Sequence, residues 1–221
     1  PKQYLALDIS KEYLEAAVAD LQKQFPHIAM RAQAIDLSFP LAFPDISELR
    51  KIFFFPGSSI GNYDPKKADQ FFTNIANECH GNGGLLIGVD LVKDIETLDL
   101  AYNDSLGVTA SFNLNILLNV NRIMGSNFNL QDWEHYAFFN ESQSRIEMHL
   151  RARSDVTVSL LGDGTKEHAI VFKAGDSIHT ENSYKYTQAG FQDLLKKAGF
   201  QKVVSWTDQN QHFMVCFASF W

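Results

Sequence analysis

Short apolar runs ending on an acid or a glycine alternate with stretches of helical periodicity from the start of the chain. That alternation restricts the fold more than any other feature. Residues 4–8 are largely apolar up to Asp8, and the Ser10 hydroxyl can cap a helix over residues 11–24. Residues 28–35 run to Asp36, and residues 51–55 run from Lys51 into Pro56-Gly57; both read as buried strands. Pro65 suits the first turn of a helix, where its missing N–H costs nothing. That helix is predicted to reach about residue 79, with Gly81 ending it. Residues 85–89 are the next core strand, ending at Asp90. Strands and helices alternating at this spacing predict a doubly wound α/β domain, its parallel sheet covered on both faces.

The second half reads differently. Residues 97–124 are helical in two pieces, interrupted near Gly107, and residues 133–139, 145–153 and 156–161 alternate as antiparallel strands do. A helix over 187–198 stops at Gly199. Two strands follow, 202–207 and 213–220, joined by the polar turn 208–211.

Of the 221 residues, 45% are hydrophobic and 20% charged, a composition able to bury a core, and no linker-like run divides them. One compact unit is expected. A net charge of -7 argues against a partner bound by neutralising phosphates, so no nucleic acid is expected. Cys79 and Cys216 lie far apart with no ligand spacing around them, which suggests neither a disulfide framework nor a metal site and fits a reducing cytosol. No apolar run approaches the ~20 residues of a membrane span. Residues 1–9 hold neither an initiator methionine nor a secretory leader, so the start reads as internal to a longer protein.

In open α/β sheets ligands bind beyond the carboxyl ends of the strands, so the acids and glycines there are the first candidates. Asp8 can accept hydrogen bonds from both hydroxyls of a ribose, or it can simply cap a helix. Asp36 can accept from the exocyclic amine of adenine, or be an ordinary strand-end acid. The run Pro56-Gly57-Ser58-Ser59-Ile60-Gly61-Asn62 is a small-residue loop that lets a ligand approach the backbone, or a plain turn. It lacks the Lys-Ser/Thr pair of a phosphate loop. Glu181 and Ser183 are two apart, so in extended chain both face one side, where they can hold an imidazole or face solvent.

These residues match a known pattern. The chain resembles the histidine-specific Nα-methyltransferases of ergothioneine biosynthesis over nearly its whole length. The resemblance is carried by Leu7-Asp8-Ile9-Ser10, Gly57-Ser58-Ser59-Ile60-Gly61-Asn62, Gly88-Val89-Asp90-Leu91-Val92-Lys93-Asp94, Ala101-Tyr102-Asn103-Asp104 and Gly107-Val108-Thr109-Ala110-Ser111-Phe112-Asn113. Arg145-Ile146-Glu147-Met148, Thr180-Glu181-Asn182-Ser183-Tyr184-Lys185 and Trp206-Thr207-Asp208 complete it.

The resemblance implies a class I methyltransferase, Rossmann-like, that uses S-adenosylmethionine to methylate the α-amino group of L-histidine, successively to a betaine. Its cofactor domain would occupy residues 1–95, a mixed helical and antiparallel substrate-binding insertion 96–186, and a helix and hairpin completing the first domain 187–221. It further implies that Asn62 and Tyr102 grip the substrate's carboxylate and amine, that Gly57 and Thr109 line the same pocket, that Glu181 and Ser183 hold the imidazole, and that Met148 packs on the ring. Asp8 and Asp36, with Leu37, would contact the cofactor. The family's first strand and its glycine-rich loop are missing, so weak or no cofactor binding is expected of this exact polypeptide, along with an exposed neighbouring strand edge. Alternatives are a relative acting on another aromatic amino acid amine, the methyltransferase domain of a larger sulfur-histidine synthase, and a non-catalytic binding module. A small-molecule substrate is expected, and oligomeric state stays open.

Overall fold

A computed structural model describes residues 1–37, 39–161 and 168–221. The first unit is β1 (Gln3–Asp8), α1 (Lys11–Gln24) and β2 (Ala29–Ala34), with β1 and β2 parallel and paired from Gln3↔Ala29 to Asp8↔Ala34. Leu14 and Val18 of α1 pack on Ala6, Met30 and Ala32, a small core of their own. The Ser10 hydroxyl makes no cap bond. Instead Asp8 accepts the Ser10 backbone N–H at 2.8 Å, so the acid rather than the serine shapes the turn into α1.

The main sheet follows: β3 (Ile52–Phe55), α2 (Pro65–Glu78) and β4 (Gly84–Asp90), closed much later by α5 (Gln188–Lys197), β10 (Lys202–Thr207) and β11 (Phe213–Ser219). Its order is β10-β11-β4-β3, with β3 parallel to β4 and the terminal hairpin antiparallel. Leu85, Ile87 and Val89 are fully buried between α2 and α5, with Phe71, Phe72, Phe191, Met214 and Cys216 around them. Asp64 caps α2 by accepting from the Lys67 N–H, and Pro65 takes the first turn as its geometry requires.

One expectation fails here. The parallel strands do not make one continuous sheet, and neither β2 nor β3 is a buried strand: Ile52 and Phe54 are 50% and 64% exposed. Among the described residues β1 pairs only with β2 and β3 only with β4, and Ile52 and Phe54 alternate onto the face opposite Phe53 and Phe55, the two that pack on the core.

Between the two halves of this framework lie α3 (Ile95–Tyr102), α4 (Val108–Met124), β5 (Trp133–Asn140), β6 (Arg145–Ala152), β7 (Val156–Leu160), β8 (His168–Phe172) and β9 (Ser177–Tyr184). The break near Gly107 is present, with Gly107 at φ 69° in the left-handed region that glycine adopts without strain. β5, β6 and β9 form an antiparallel sheet, whereas β7 pairs with β8. Leu117, Trp133, Leu150 and Val158 make one core beneath α4, and Leu98, Ala137, Ile146 and Met148 another beneath α3.

Candidate active site

The loop after β3 is held open by local chemistry. Ser58 sits at φ 58°, a conformation costly for a side-chain residue, and its Oγ accepts the Asp90 backbone N–H at 2.9 Å, tying the loop to the end of β4. Ser59–Asn62 then forms a single 3-10 turn with Ile60 and Gly61 buried. A Cβ on Gly61 would lie 3.0 Å from the Tyr184 carbonyl and 3.3 Å from Ser183 Oγ, so glycine lets this turn press against β9.

Opposite the loop, β9 carries a bulge. Met148 pairs with Glu181 while His149 pairs with His179, leaving Thr180 as the extra residue. From Glu181 onward alternation puts Glu181 and Ser183 on one face. Tyr102, the last residue of α3, reaches the same place and donates from Oη to Ser183 Oγ at 2.8 Å. These elements enclose a cavity of about 350 Å³ lined by Gly57, Asn62, Tyr102, Glu181 and Ser183, together with Ser58, Ser59, Asp90, Lys185 and Phe213.

Five of the residues singled out from sequence therefore meet around one cavity. Thr109 and Met148 do not line it: the Thr109 N–H is taken by Asp104 at the start of α4, and Met148, 3% exposed, packs with Leu98, Ala137 and Ile146 against Tyr102. Asp8 and Asp36 also stand outside that lining, at or just past the carboxyl ends of the parallel strands β1 and β2, and Leu37 packs on the main core. Burial pushes the Tyr63 phenol up, and the Asp36 carboxylate adds to it, which puts Asp36 within electrostatic reach of the residue after Asn62.

Three cavity residues had no site role assigned from the sequence, Lys185, Phe213 and the strand-end acid Asp90. Lys185 Nζ lies 2.8 Å from Asp90 Oδ2, and Lys93 holds the other Asp90 oxygen at 2.6 Å. The signal was available: residue 185 follows 183 by two, so an extended chain turns it to the same side as Glu181 and Ser183. Burial raises the Glu181 carboxyl above its ordinary value, and the Lys185 charge offsets part of that rise. The result is a half-buried acceptor beside a cation.

The cavity wall is braced from behind by Asn113, which is fully buried. Its Nδ2 donates to His135 Nδ1 at 2.9 Å and to the His149 carbonyl at 3.0 Å, its Oδ1 accepts from Thr180 Oγ1 at 2.7 Å, and His135 Nε2 in turn lies 2.8 Å from the Tyr102 carbonyl. One carboxamide thus ties the bulge to the end of α3. Asn113→Leu leaves those groups unsatisfied and is expected to cost about 1.5 kcal/mol, read as a lowered midpoint in urea unfolding.

A second hollow, about 510 Å³, lies at Lys93, Asp94, Tyr186, Gln188 and His212. Its acid is committed, because Asp94 caps α3 through the Thr97 N–H at 2.8 Å, and the Thr187 hydroxyl in the same lining caps α5 by accepting the Gly190 N–H at 3.1 Å. On the far face of β6 and β9, ligand atoms of Glu147, His149 and His179 come within 4.8 Å of one another. The two imidazoles stack at 4.5 Å and 16°, so their in-plane lone pairs run side by side, and Glu147 is already engaged by Arg145, Asn140 and His149.

A family model described as a histidine-specific, S-adenosylmethionine-dependent methyltransferase matches residues 1–220. Histidine N-alpha-methyltransferase of Mycolicibacterium smegmatis is 34% identical over 208 residues, covering 94% of this chain and 63% of that protein. Its namesake from Mycobacterium tuberculosis is 32% identical over 222 residues, covering 99% and 67%. Ergothioneine biosynthesis protein 1 of Neurospora crassa is 30% identical over 215 residues, covering 95% of this chain and 23% of that larger protein. The chain spans about two thirds of the length of the first two relatives. With a parallel sheet closed by an antiparallel terminal hairpin, and a family match over all but its last residue, the chain belongs to the histidine-specific, S-adenosylmethionine-dependent methyltransferase family.

Proposed function

We propose that the protein methylates the α-amino group of L-histidine, in successive transfers to the trimethyl betaine. The single observation that carries this reading is the convergence of Glu181 and Ser183 with Tyr102 and Asn62 on one cavity. S-adenosylmethionine, when bound, supplies an electrophilic methyl group on a sulfonium sulfur. Two carboxylates at the ends of adjacent parallel strands, Asp8 and Asp36, have the acceptor chemistry that ribose hydroxyls and an adenine amine require, so this part of the chain fits the adenosine half.

The enzyme's own work is to orient and desolvate a neutral amine. In the first two transfers the Tyr102 oxygen can accept an amine N–H and aim the nitrogen lone pair, while the exposed Asn62 carboxamide at the rim can donate to the α-carboxylate throughout. Gly57 leaves the backbone bare beside it. Deeper in, Glu181 accepts a ring N–H and Ser183 serves the other ring nitrogen. No strong base is needed, because the amine proton can pass to solvent. In this half-buried place an indole would leave Ser183, and a phenyl ring both Glu181 and Ser183, without a ring partner, which is the physical basis of selectivity.

Cys79 and Cys216 are both buried free thiols, each pushed up to about 11 by burial, and among the described residues no helix is long and apolar enough to cross a membrane. These features support a cytoplasmic setting. The test of function is a substrate panel with the full-length protein and S-adenosylmethionine, read by mass. Histidine should gain up to three methyl groups and tryptophan none; turnover of tryptophan without histidine would overturn the reading.

A further inference from the structure

The Lys185 ammonium is 1% exposed and has three N–H donors and no acceptor. Each donor has a destination: Asp90 Oδ2 at 2.8 Å, Tyr102 Oη at 2.9 Å and Ser183 Oγ at 2.8 Å. Asp90 cannot turn away, since Lys93 holds its other oxygen. The consequence is a matter of counting. The two hydroxyls have two hydrogens and four lone pairs between them. Lys185 occupies one lone pair on each, and the 2.8 Å bond between them uses one hydrogen and one further lone pair. One hydrogen and one lone pair remain for whatever enters the cavity.

Which oxygen keeps which follows from acidity. A phenol is a stronger donor than an alkyl alcohol, so Tyr102 donates to Ser183. Both lone pairs of Ser183 are then filled, and its own hydrogen points to the cavity. Tyr102 is left with a lone pair. We propose that Lys185 is a positioning residue that sets the hydrogen-bond polarity of this cavity, making Ser183 a donor and Tyr102 an acceptor toward the substrate.

This inference rests on the histidine reading and sharpens it. With Glu181 as acceptor and Ser183 as donor, the cavity takes a neutral imidazole in one tautomer, its protonated nitrogen toward Glu181 and its bare nitrogen toward Ser183. An indole has no bare ring nitrogen and leaves the Ser183 hydrogen unpaired. Tyr102, held as an acceptor, is matched to an amine N–H. Without Lys185 each hydroxyl regains a lone pair and can rotate, so the polarity is lost even though no substrate contact has been removed.

The test is titration of ring-15N L-histidine into the full-length protein with S-adenosylhomocysteine present, read by nitrogen chemical shifts and by calorimetry. The bound ring should show one protonated and one unprotonated nitrogen. Lys185→Met should bind histidine at least tenfold more weakly, with averaged ring shifts, and should discriminate less against tryptophan. Because Lys185→Met leaves Asp90 Oδ2 without its cation while Lys93 keeps Oδ1, the double variant K185M/D90N is measured beside it; the same loss with a wild-type melting profile separates polarity from folding. A folded variant with unchanged affinity and the same single tautomer would overturn the proposal, as would a wild-type ring bound with both nitrogens protonated. The wild-type shifts decide the polarity even where neither variant folds. Failure of the wild-type protein to bind histidine at all is a different result, since it removes the substrate reading and this assignment together.

Discussion

Glu181→Gln is expected to weaken histidine binding roughly ten- to hundredfold, the equivalent of about 1.5–3 kcal/mol for a hydrogen bond to a charged partner, while leaving the fold at least as stable as before. The two halves have one cause. Burial raises the Glu181 carboxyl above its ordinary value, so the folded state binds a proton more readily there than the unfolded chain does. Stability from this group is therefore fully present at low pH and declines as pH rises through the interval between the ordinary and the raised value. Glutamine has no proton to gain and flattens that slope. Histidine binding runs the opposite way: protonation of the free imidazole weakens it for both proteins as pH falls, and wild-type Glu181 adds a further loss as it takes up a proton and ceases to be a pure acceptor, a loss the variant lacks. Calorimetry and thermal melts across the acidic range check both signs. Equal affinity of variant and wild type would remove Glu181 from the ring-binding role.

Gly88→Ala is expected to cost about 3 kcal/mol, the upper end of overpacking penalties. A Cβ at Gly88 would lie 2.1 Å from the Pro56 carbonyl oxygen and 2.7 Å from Phe213 Cζ. A flexible side chain could swing aside, but the first obstacle is backbone. It also leads directly into the Gly57–Asn62 loop, so relief of the clash moves the cavity wall. For a chain of this size the melting temperature should fall by roughly 6–12 °C. Gly57→Ala is the internal control, since its Cβ would meet only Ser59 Oγ at 3.8 Å, and its melt should stay near wild type. Equal melts for the two variants would contradict the packing described.

Much of the framework is legible in the chain's punctuation. Pro65, Gly107 and Gly199 mark helix boundaries because each is a backbone conformation or a missing donor, and those properties are local. The strand-end positions of Asp8 and Asp90 are legible for the same reason. What escapes is non-local. The runs at 28–35 and 51–55 are apolar enough to read as buried, yet β3 exposes Ile52 and Phe54 because only the face of Phe53 and Phe55 packs on the core, and which face is covered is decided by distant elements. The pairing of β7 with β8 rather than with β6 is likewise a choice of partner.

The cavity divides along the same line. Glu181 and Ser183 are recognisable as a same-face pair, but what aims them is the Thr180 bulge, and a bulge depends on register with another strand. Resemblance alone nominates Thr109 and Met148 alongside Tyr102; the structure sets Thr109 in a helix cap and Met148 beneath Tyr102, outside the lining. Lys185 is the reverse case, named by no motif role and yet bonded to two of the residues that matter.

The most direct test of the central claim is a crystal structure of the full-length protein with L-histidine and S-adenosylhomocysteine. The account requires the imidazole to lie between Glu181 and Ser183, each within hydrogen-bond distance of a different ring nitrogen, with the amine at Tyr102 and the carboxylate at Asn62. Histidine seated elsewhere, or with its ring turned toward the Gly57–Asn62 loop and its carboxylate toward Glu181, would contradict it.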